Sequence, residues 1–393
     1  MPAPVRSAVK SGIKGLRGET SRPRGDLLLL VYDGGFIGFE TPAYIAHPKI
    51  SALMSAHVDA PCGRWSEGPL AVDGEAPERV SHVTALIGKR MYVLGGKSGW
   101  KVPYINDVRV CDFSGPKPSW SELDVGPTLT PVNELGDCFP IDRIGPACVA
   151  VGTEIWMYSG ADGCFWLDDL WSFDTAGERP AWKLVETEGT PPEKRCYHSM
   201  VAHGKQIWVF GGLEFADYKN DLHLLDLDGA KPTWSRPKVS GAPPAGRYAH
   251  SAWMMGSVMY VFGGDHGHYC CNDLHSIDLS NPDALEWRFV EVDGVPPTPR
   301  AHVKAIPVGD RVWMYGMTRK GLHSNELKLL DFSSGKPSWS SPIALGEPPC
   351  ARFGESGVAV DSNLYIFGGY GNSGNGFMRY DNMHALHIGD ARE

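Results

Sequence analysis

The chain has little that would place it in a membrane or outside the cell. Its apolar runs are short: Leu27-Leu28-Leu29-Leu30-Val31-Tyr32 ends at Asp33-Gly34-Gly35, far below the ~20 residues a membrane-spanning helix needs. No secretory signal is read at the start. Cysteines follow no pattern. There are nine, an odd number without Cys-x-x-Cys pairs, and the one adjacent pair is Cys270-Cys271. That excludes a disulfide framework and a zinc ribbon, and the expectation is a reduced, cytoplasmic protein. Most of the nine are read as small buried hydrophobes. Basic charge is also scarce: 37 Lys and Arg against 46 Asp and Glu leave a formal net charge of −9, which argues against a broad nucleic-acid surface. Gly-x-Ser-x-Gly, P-loop and His-Glu-x-x-His signatures are missing as well.

What the chain does have is glycine, proline and repetition. With 47 Gly, 31 Pro and 42% hydrophobic residues, it suits an all-β protein with many turns. Arg195-Cys196-Tyr197-His198-Ser199 leads to Ile207-Trp208-Val209-Phe210-Gly211-Gly212, then Asn220-Asp221 through Asp226-Leu227, then Trp234. Arg247-Tyr248-Ala249-His250-Ser251, Met259 through Gly264, Asn272-Asp273 through Asp278-Leu279 and Trp287 repeat it. Gly211 and Gly263 stand 52 residues apart. A fixed period near 50 with four short strands per unit is a propeller-blade signature. The continuous apolar run before each Gly-Gly suits a strand buried on both faces, the spaced Trp suits a packing anchor, and the Pro-Pro pairs mark turns between units.

Seven strands end at Gly-Gly or its equivalent: Leu28–Gly35, Met91–Gly96, Ile155–Gly160, Ile207–Gly212, Met259–Gly264, Val312–Gly316 and Leu364–Gly369. Six Trp residues take the fourth-strand position: Trp65, Trp120, Trp182, Trp234, Trp287 and Trp339. The last repeat reaches His387, and the spacing would put its Trp at 395, beyond the final residue. Val5 to Val9, which leads to Arg17 as Val239-Ser240-Gly241 leads to Arg247, is therefore read as the missing strand. The expectation is a seven-bladed propeller over residues 1–393 as a single domain, closed by this N-terminal strand, with six blades as the alternative. The basic segment 1–24 (Arg6, Lys10, Lys14, Arg17, Arg22 and Arg24 against Glu19) is then a strand-bearing segment rather than a transit peptide. Pro127–Asp142 is read as a surface insertion.

The strand-Gly-Gly, aromatic segment and spaced Trp resemble the kelch family over nearly the whole chain. Among its members the chain is most similar to stand-alone kelch proteins of the Rab9-effector type, without BTB or F-box segments. The resemblance implies a β-propeller and an intracellular protein-interaction module, monomeric, with no nucleic acid, no membrane insertion and no cofactor. It names no partner, because a fold does not fix a function.

Candidate contact residues fall in the loops after each Gly-Gly: Trp100, Tyr104, Phe165, Trp166, Glu214, Asp217, Tyr218, Tyr269, Arg319, His323, Arg379 and Tyr380. Aromatics mixed with charge suit a protein or peptide surface. Asp265, His266 and His268 form the one His-x-His beside an Asp, with Cys270 or Cys271 near, and are the residues a Zn or Fe ion would use. The alternative function is accordingly a metal-dependent or lyase-type kelch enzyme built on that loop. Two enzyme types of the kelch group fit poorly. The Glu-x3-Asp-x3-His iron pattern of plant nitrile-specifier proteins is missing, since Tyr218 stands four residues after Glu214. Nothing recognisable matches the secreted copper enzymes like galactose oxidase. The Arg-x-x-His pairs (Arg195 with His198, Arg247 with His250) recur with the repeat and are read as scaffolding.

Overall fold

A computed structural model describes residues 63–97, 107–125, 140–177, 179–316, 324–372 and 377–389. The chain divides after Asp59, and everything described lies in the second part, Ala60–Glu393. The described residues hold strands and no helix, hence no helix long and apolar enough to cross a membrane.

The strand before each Gly-Gly shows why the sequence folds as it does. Ile207, Trp208, Val209 and Phe210 are all fully buried. Alternate side chains point to opposite faces. Ile207 and Val209 join a core with Trp156, Tyr158 and Trp234, while Trp208 and Phe210 join another with Met259, Val261 and Trp287. One strand thus feeds two cores, and an unbroken apolar run is what such a position needs.

Six antiparallel sheets result, each of four strands in meander order. Sheet I is Val83–Ile87, Arg90–Leu94, Val108–Asp112 and Ser119–Glu122; sheet II is Ala147–Val151, Glu154–Ala161, Trp166–Asp174 and Ala181–Leu184. Sheet III is Ser199–His203, Gln206–Phe210, Leu222–Asp226 and Thr233–Ser235; sheet IV is Ser251–Met255, Val258–Phe262, Leu274–Asp278 and Leu285–Phe289. Sheet V is Val303–Val308, Arg311–Gly316, Lys328–Asp331 and Ser338–Ser340. Sheet VI is Ser356–Val360, Asn363–Phe367 and Met383–His387, and its outer strand is Gly63–Trp65.

The cores between sheets follow a circular order. One cluster lies between each consecutive pair from I to VI. A further one joins Val358, Phe367 and Met383 of sheet VI to Met91, Val93 and Trp120 of sheet I. Hydrogen bonds repeat the same order. The second Gly of the Gly-Gly pair donates to the carbonyl of the next repeat's Arg: Gly96 to Arg143, Gly212 to Arg247, Gly264 to Arg300, and Gly369 round to Arg79. Gly212 has φ of 103°, and a Cβ there would press on His198. Glycine is what allows this close approach.

Two expectations change. The place beside Met383–His387 is filled by Gly63–Trp65, antiparallel, with Trp65 opposite Leu386, and not by residues 5–9, which lie outside the described residues together with Leu28–Gly35. Trp65 therefore serves the last sheet rather than a first repeat of its own, and the sheets of four or five strands formed by the described residues number six, beside one of two strands and one of three. The arithmetic that left the last repeat without its Trp holds, but the Trp is supplied from position 65. Ala344–Leu345 runs parallel to the outside of this strand, as Glu188–Gly189 and Val239–Gly241 do in sheets III and IV. All six Trp residues are buried, as their register required.

Candidate partner-binding face

The recurring Arg fixes one end of every sheet. Arg195 donates through Nη1 to the Gly211 carbonyl (2.9 Å) and through both Nη atoms to Asp221 (2.7 and 3.0 Å). Its Nε donates to the Glu193 carbonyl. Arg247 makes the same set with Gly263, Asp273 and Ala245, and Arg143 with Ser159, Asp169 and Ile141. Arg79 pairs with Asp107, Arg300 with Glu326, and Arg352 with the Asn382 amide oxygen. All six are buried. Burial pushes the Asp221 carboxyl up, yet hydrogen bonds from His223 and Arg195 outweigh it and hold the group well below the usual range. A buried guanidinium is tolerable only with such partners. The Arg-x-x-His motif is thus scaffolding.

The residues two places after each Arg all line one cavity. Ser81, Gly145, Tyr197, Ala249, His302 and Gly354 all have positive φ, between 53° and 66°. Their backbones are bonded from sheet to sheet: Tyr197 N–H to Gly145, Ala249 to Tyr197, His302 to Ala249, and Ser81 to Gly354. The loops after Gly-Gly lie at the same end, since Cys196 bridges Leu213 and Tyr248 bridges Asp265.

An aromatic arc follows from this placement. Tyr218 stacks on Tyr248 (5.9 Å between ring centres), Tyr248 meets Tyr197 (6.1 Å), and Tyr197 meets His302 edge-on (5.3 Å). His302 continues to Phe353 (6.1 Å), Phe353 to Tyr370 (5.4 Å), and Tyr370 stacks on Phe377 (5.7 Å). The arc crosses sheets III to VI. Around it Phe215 (77%), Phe165 (70%), Phe377 (58%) and Tyr269 (55%) are exposed, and Trp166 lies against Phe215 at 5.8 Å.

The residues singled out from the sequence divide accordingly. Phe165, Trp166, Tyr218 and Tyr269 lie on this face, and Tyr218 belongs to the arc. Glu214 and Asp217 pair across a tight hairpin, where Asp217 binds the Lys219 ammonium at 2.6 Å and Glu193 holds it from the other side. Arg379 lies over Tyr370 (5.9 Å) and near Glu78 (3.8 Å). Tyr380 is a correction: it is buried, its ring 4.0 Å from the Arg352 guanidinium, so it packs the interior and offers a partner nothing. Trp100, Tyr104, Arg319 and His323 lie outside the described residues. Asp265 is engaged in its own turn, its carboxylate accepting from the Gly267 N–H (2.5 Å) and the Cys270 thiol (3.5 Å). The His266 ring packs on Tyr269 (3.7 Å), with His268 5.9 Å away. Among the described residues no three His, Cys, Asp or Glu side chains gather as a metal cluster.

Tyr197, Tyr248, His302 and Phe353 were not foreseen. They sit inside or beside the Arg-x-x-His motif, read only as scaffold. The available signal was contrast: Arg recurs there, while the two following residues change from Val-Ser to Cys-Tyr, Tyr-Ala and Ala-His. A recurring Arg followed by residues that change from repeat to repeat marks a framed but variable position.

Comparison with known proteins agrees with this architecture. The family model described as the KLHDC2/KLHL20/DRC7 Kelch-repeats domain matches residues 53–212, 128–316 and 227–392. Adagio protein 3 of Arabidopsis thaliana is 31% identical over 75% of this chain, which spans about half (48%) of that protein. Kelch domain-containing protein 3 of Rattus norvegicus is 28% identical over 75% of this chain and 78% of its own length. The solved structure of YjhT aligns with a TM-score of 0.57 at 15% identity, covering 79% of this chain and 99% of that one; it supports the fold alone.

Proposed function

Because this chain belongs to the kelch-repeat family, we propose that its residues from 60 onward form a closed six-bladed propeller that docks a protein partner on the face carrying the aromatic arc. The observation that carries the reading is the arc itself, flanked by Phe165, Phe215 and Tyr269, which present large aromatic surface to solvent. Aromatics set in a rigid frame lose little entropy on contact and are the commonest interface anchors. The Arg framework beneath supplies that rigidity. A monomer working in the cytoplasm is part of the same reading, supported by seven cysteines that stand outside any disulfide among the described residues.

The test is a combined Phe165→Ser, Phe215→Ser and Phe377→Ser variant, compared with wild type in proximity labelling and direct binding to the recovered partner. These side chains are exposed, so the melting temperature should stay within a few degrees. Binding should weaken by about 30-fold or more, the effect of removing one hot spot of ~2 kcal/mol. A partner held equally well by the triple variant would move the docking site off this face.

A further inference from the structure

Sheets III, IV and VI carry Ser at the fourth place after the Arg, as Ser199, Ser251 and Ser356. Two of these meet a His of the next sheet: His250 Nε2 with Ser199 Oγ, and His82 Nε2 with Ser356 Oγ, both at 2.8 Å. At the seam between sheets V and VI the pair is replaced. Lys304 takes the Ser place and Glu355 the His place. They do not substitute for each other's contact: both Glu355 carboxylate oxygens are buried without a hydrogen-bond partner among the described residues. Arg352, the buried cation of sheet VI, has the neutral Asn382 where its counterparts have Asp or Glu. Two cations, Lys304 and Arg352, therefore act on one carboxylate, and Arg352 Nη2 is buried without a hydrogen-bond partner among the described residues.

Lys304 is the cation that faces the channel. A cavity of about 250 Å³ is lined by the inner strands of all six sheets. Lys304 is the charged side chain in its lining, alongside His302, Thr84, Ser81 and Cys148. Its charge acts on His82 of sheet I, Cys148 of sheet II and Glu355 of sheet VI. Burial lowers the Lys304 pKa and Glu355 only partly offsets it. The volume falls below the ~300–1,000 Å³ of pockets that take drug-sized ligands.

We propose that this cavity is a binding site for a small free oxyanion, of inorganic phosphate or short-carboxylate size, with Lys304 as its counter-charge. Neutral hydroxyl and imidazole N–H donors around an ammonium that lacks a carboxylate contact suit an oxyanion, since charge-assisted hydrogen bonds are the strong ones. The site is distinct from the aromatic face and does not depend on the docking reading.

Titrate wild-type protein and Lys304→Met with inorganic phosphate and with malonate by calorimetry, at fixed ionic strength. One saturable site is expected in wild type, weakened about 10–100-fold in the variant, the effect of losing a charge-assisted hydrogen bond. Should Lys304→Met not fold, 15N-lysine spectra of wild type give the answer, because the Lys304 ammonium resonance should move with phosphate. Absence of binding by wild type at tens of millimolar (far above any specific site), equal binding by Lys304→Met, or a Lys304 resonance that does not respond would each overturn the proposal.

Discussion

Removing Gly63–Trp65 should unpair the outer edge of sheet VI, and the cost can be worked from the contacts. Trp65 is buried against Tyr315, Leu364 and Leu386, and deleting such a side chain costs about 3–5 kcal/mol. The strand also contributes four register pairs, two with Ala344–Leu345 and two with Met383–His387. At about 0.5–1.5 kcal/mol net for each associated hydrogen bond, these add ~2–6 kcal/mol. The sum, ~5–11 kcal/mol, rivals the ~5–15 kcal/mol that stabilises a whole domain. It would also expose the edge of Met383–His387, a template for aggregation. A chain beginning at Ser66 should therefore aggregate or melt without cooperativity where a chain beginning at Ala60 melts cooperatively. Trp65→Ala in the full chain should fall between, lower by roughly 5–15 °C. Differential scanning calorimetry with light scattering reads all three. If the chains starting at Ala60 and Ser66 melt alike, the pairing of Gly63–Trp65 contributes nothing and the reasoning is wrong.

Acid should weaken the fold through its buried imidazoles. Burial pushes the His250 pKa down to about 3, below its unfolded value of about 6.5. Its stabilising share is thus complete above pH 6.5 and is lost as pH falls toward 3, about 2–3 kcal/mol by pH 4.5. Glu355, pushed up to about 7 by burial, acts with the opposite sign, adding stability as pH falls from 7 to about 4.5. Urea melts at pH 7.5 and 4.5 should show a smaller acid loss in His250→Gln than in wild type; equal losses would contradict the neutral buried imidazole. Purified protein supplied with zinc and iron(II) should retain no stoichiometric metal, because Asp265 is held by its own turn. Metal bound one-to-one, and lost in His266→Ala with His268→Ala, would transfer function to that loop.

How far the sequence could be read follows from what each residue had to satisfy. Trp234, Trp287 and the run Ile207–Phe210 are set by burial on two faces, which leaves a strong apolar pattern at fixed spacing. The Arg and its Asp 26 residues later, as in Arg195 and Asp221, were visible as letters, but their pairing was not, since it joins two ends of a sheet. Trp65 was assigned to the wrong sheet for a related reason. Its place in the series of fourth-strand Trp residues matched a repeat, and only the hydrogen-bonded neighbour Leu386, more than 300 residues away, decides the matter. Tyr380 looked like a loop aromatic because nothing in the sequence shows that Asn382 leaves Arg352 without a carboxylate contact.

That last point connects the breaks in the repeat. A buried guanidinium without a negative charge nearby is costly. In sheets III and IV the charge is Asp221 or Asp273, placed at the entry of the third strand. In sheet VI that residue is Asn382, and the negative charge reappears at Glu355, three residues after Arg352. The Tyr380 ring covers the guanidinium face, so the cation is accommodated by a π-system and a more distant carboxylate instead of a bidentate pair. Moving the carboxylate from 382 to 355 also carries it from the sheet's own interior to the seam with sheet V, where it acts on Lys304 as well. One carboxylate then acts on two cations, and Lys304 is the one that lines the cavity. The departures at 304, 355, 380 and 382 thus gather around Arg352 and Glu355, and the proposed oxyanion site at Lys304 would follow from them.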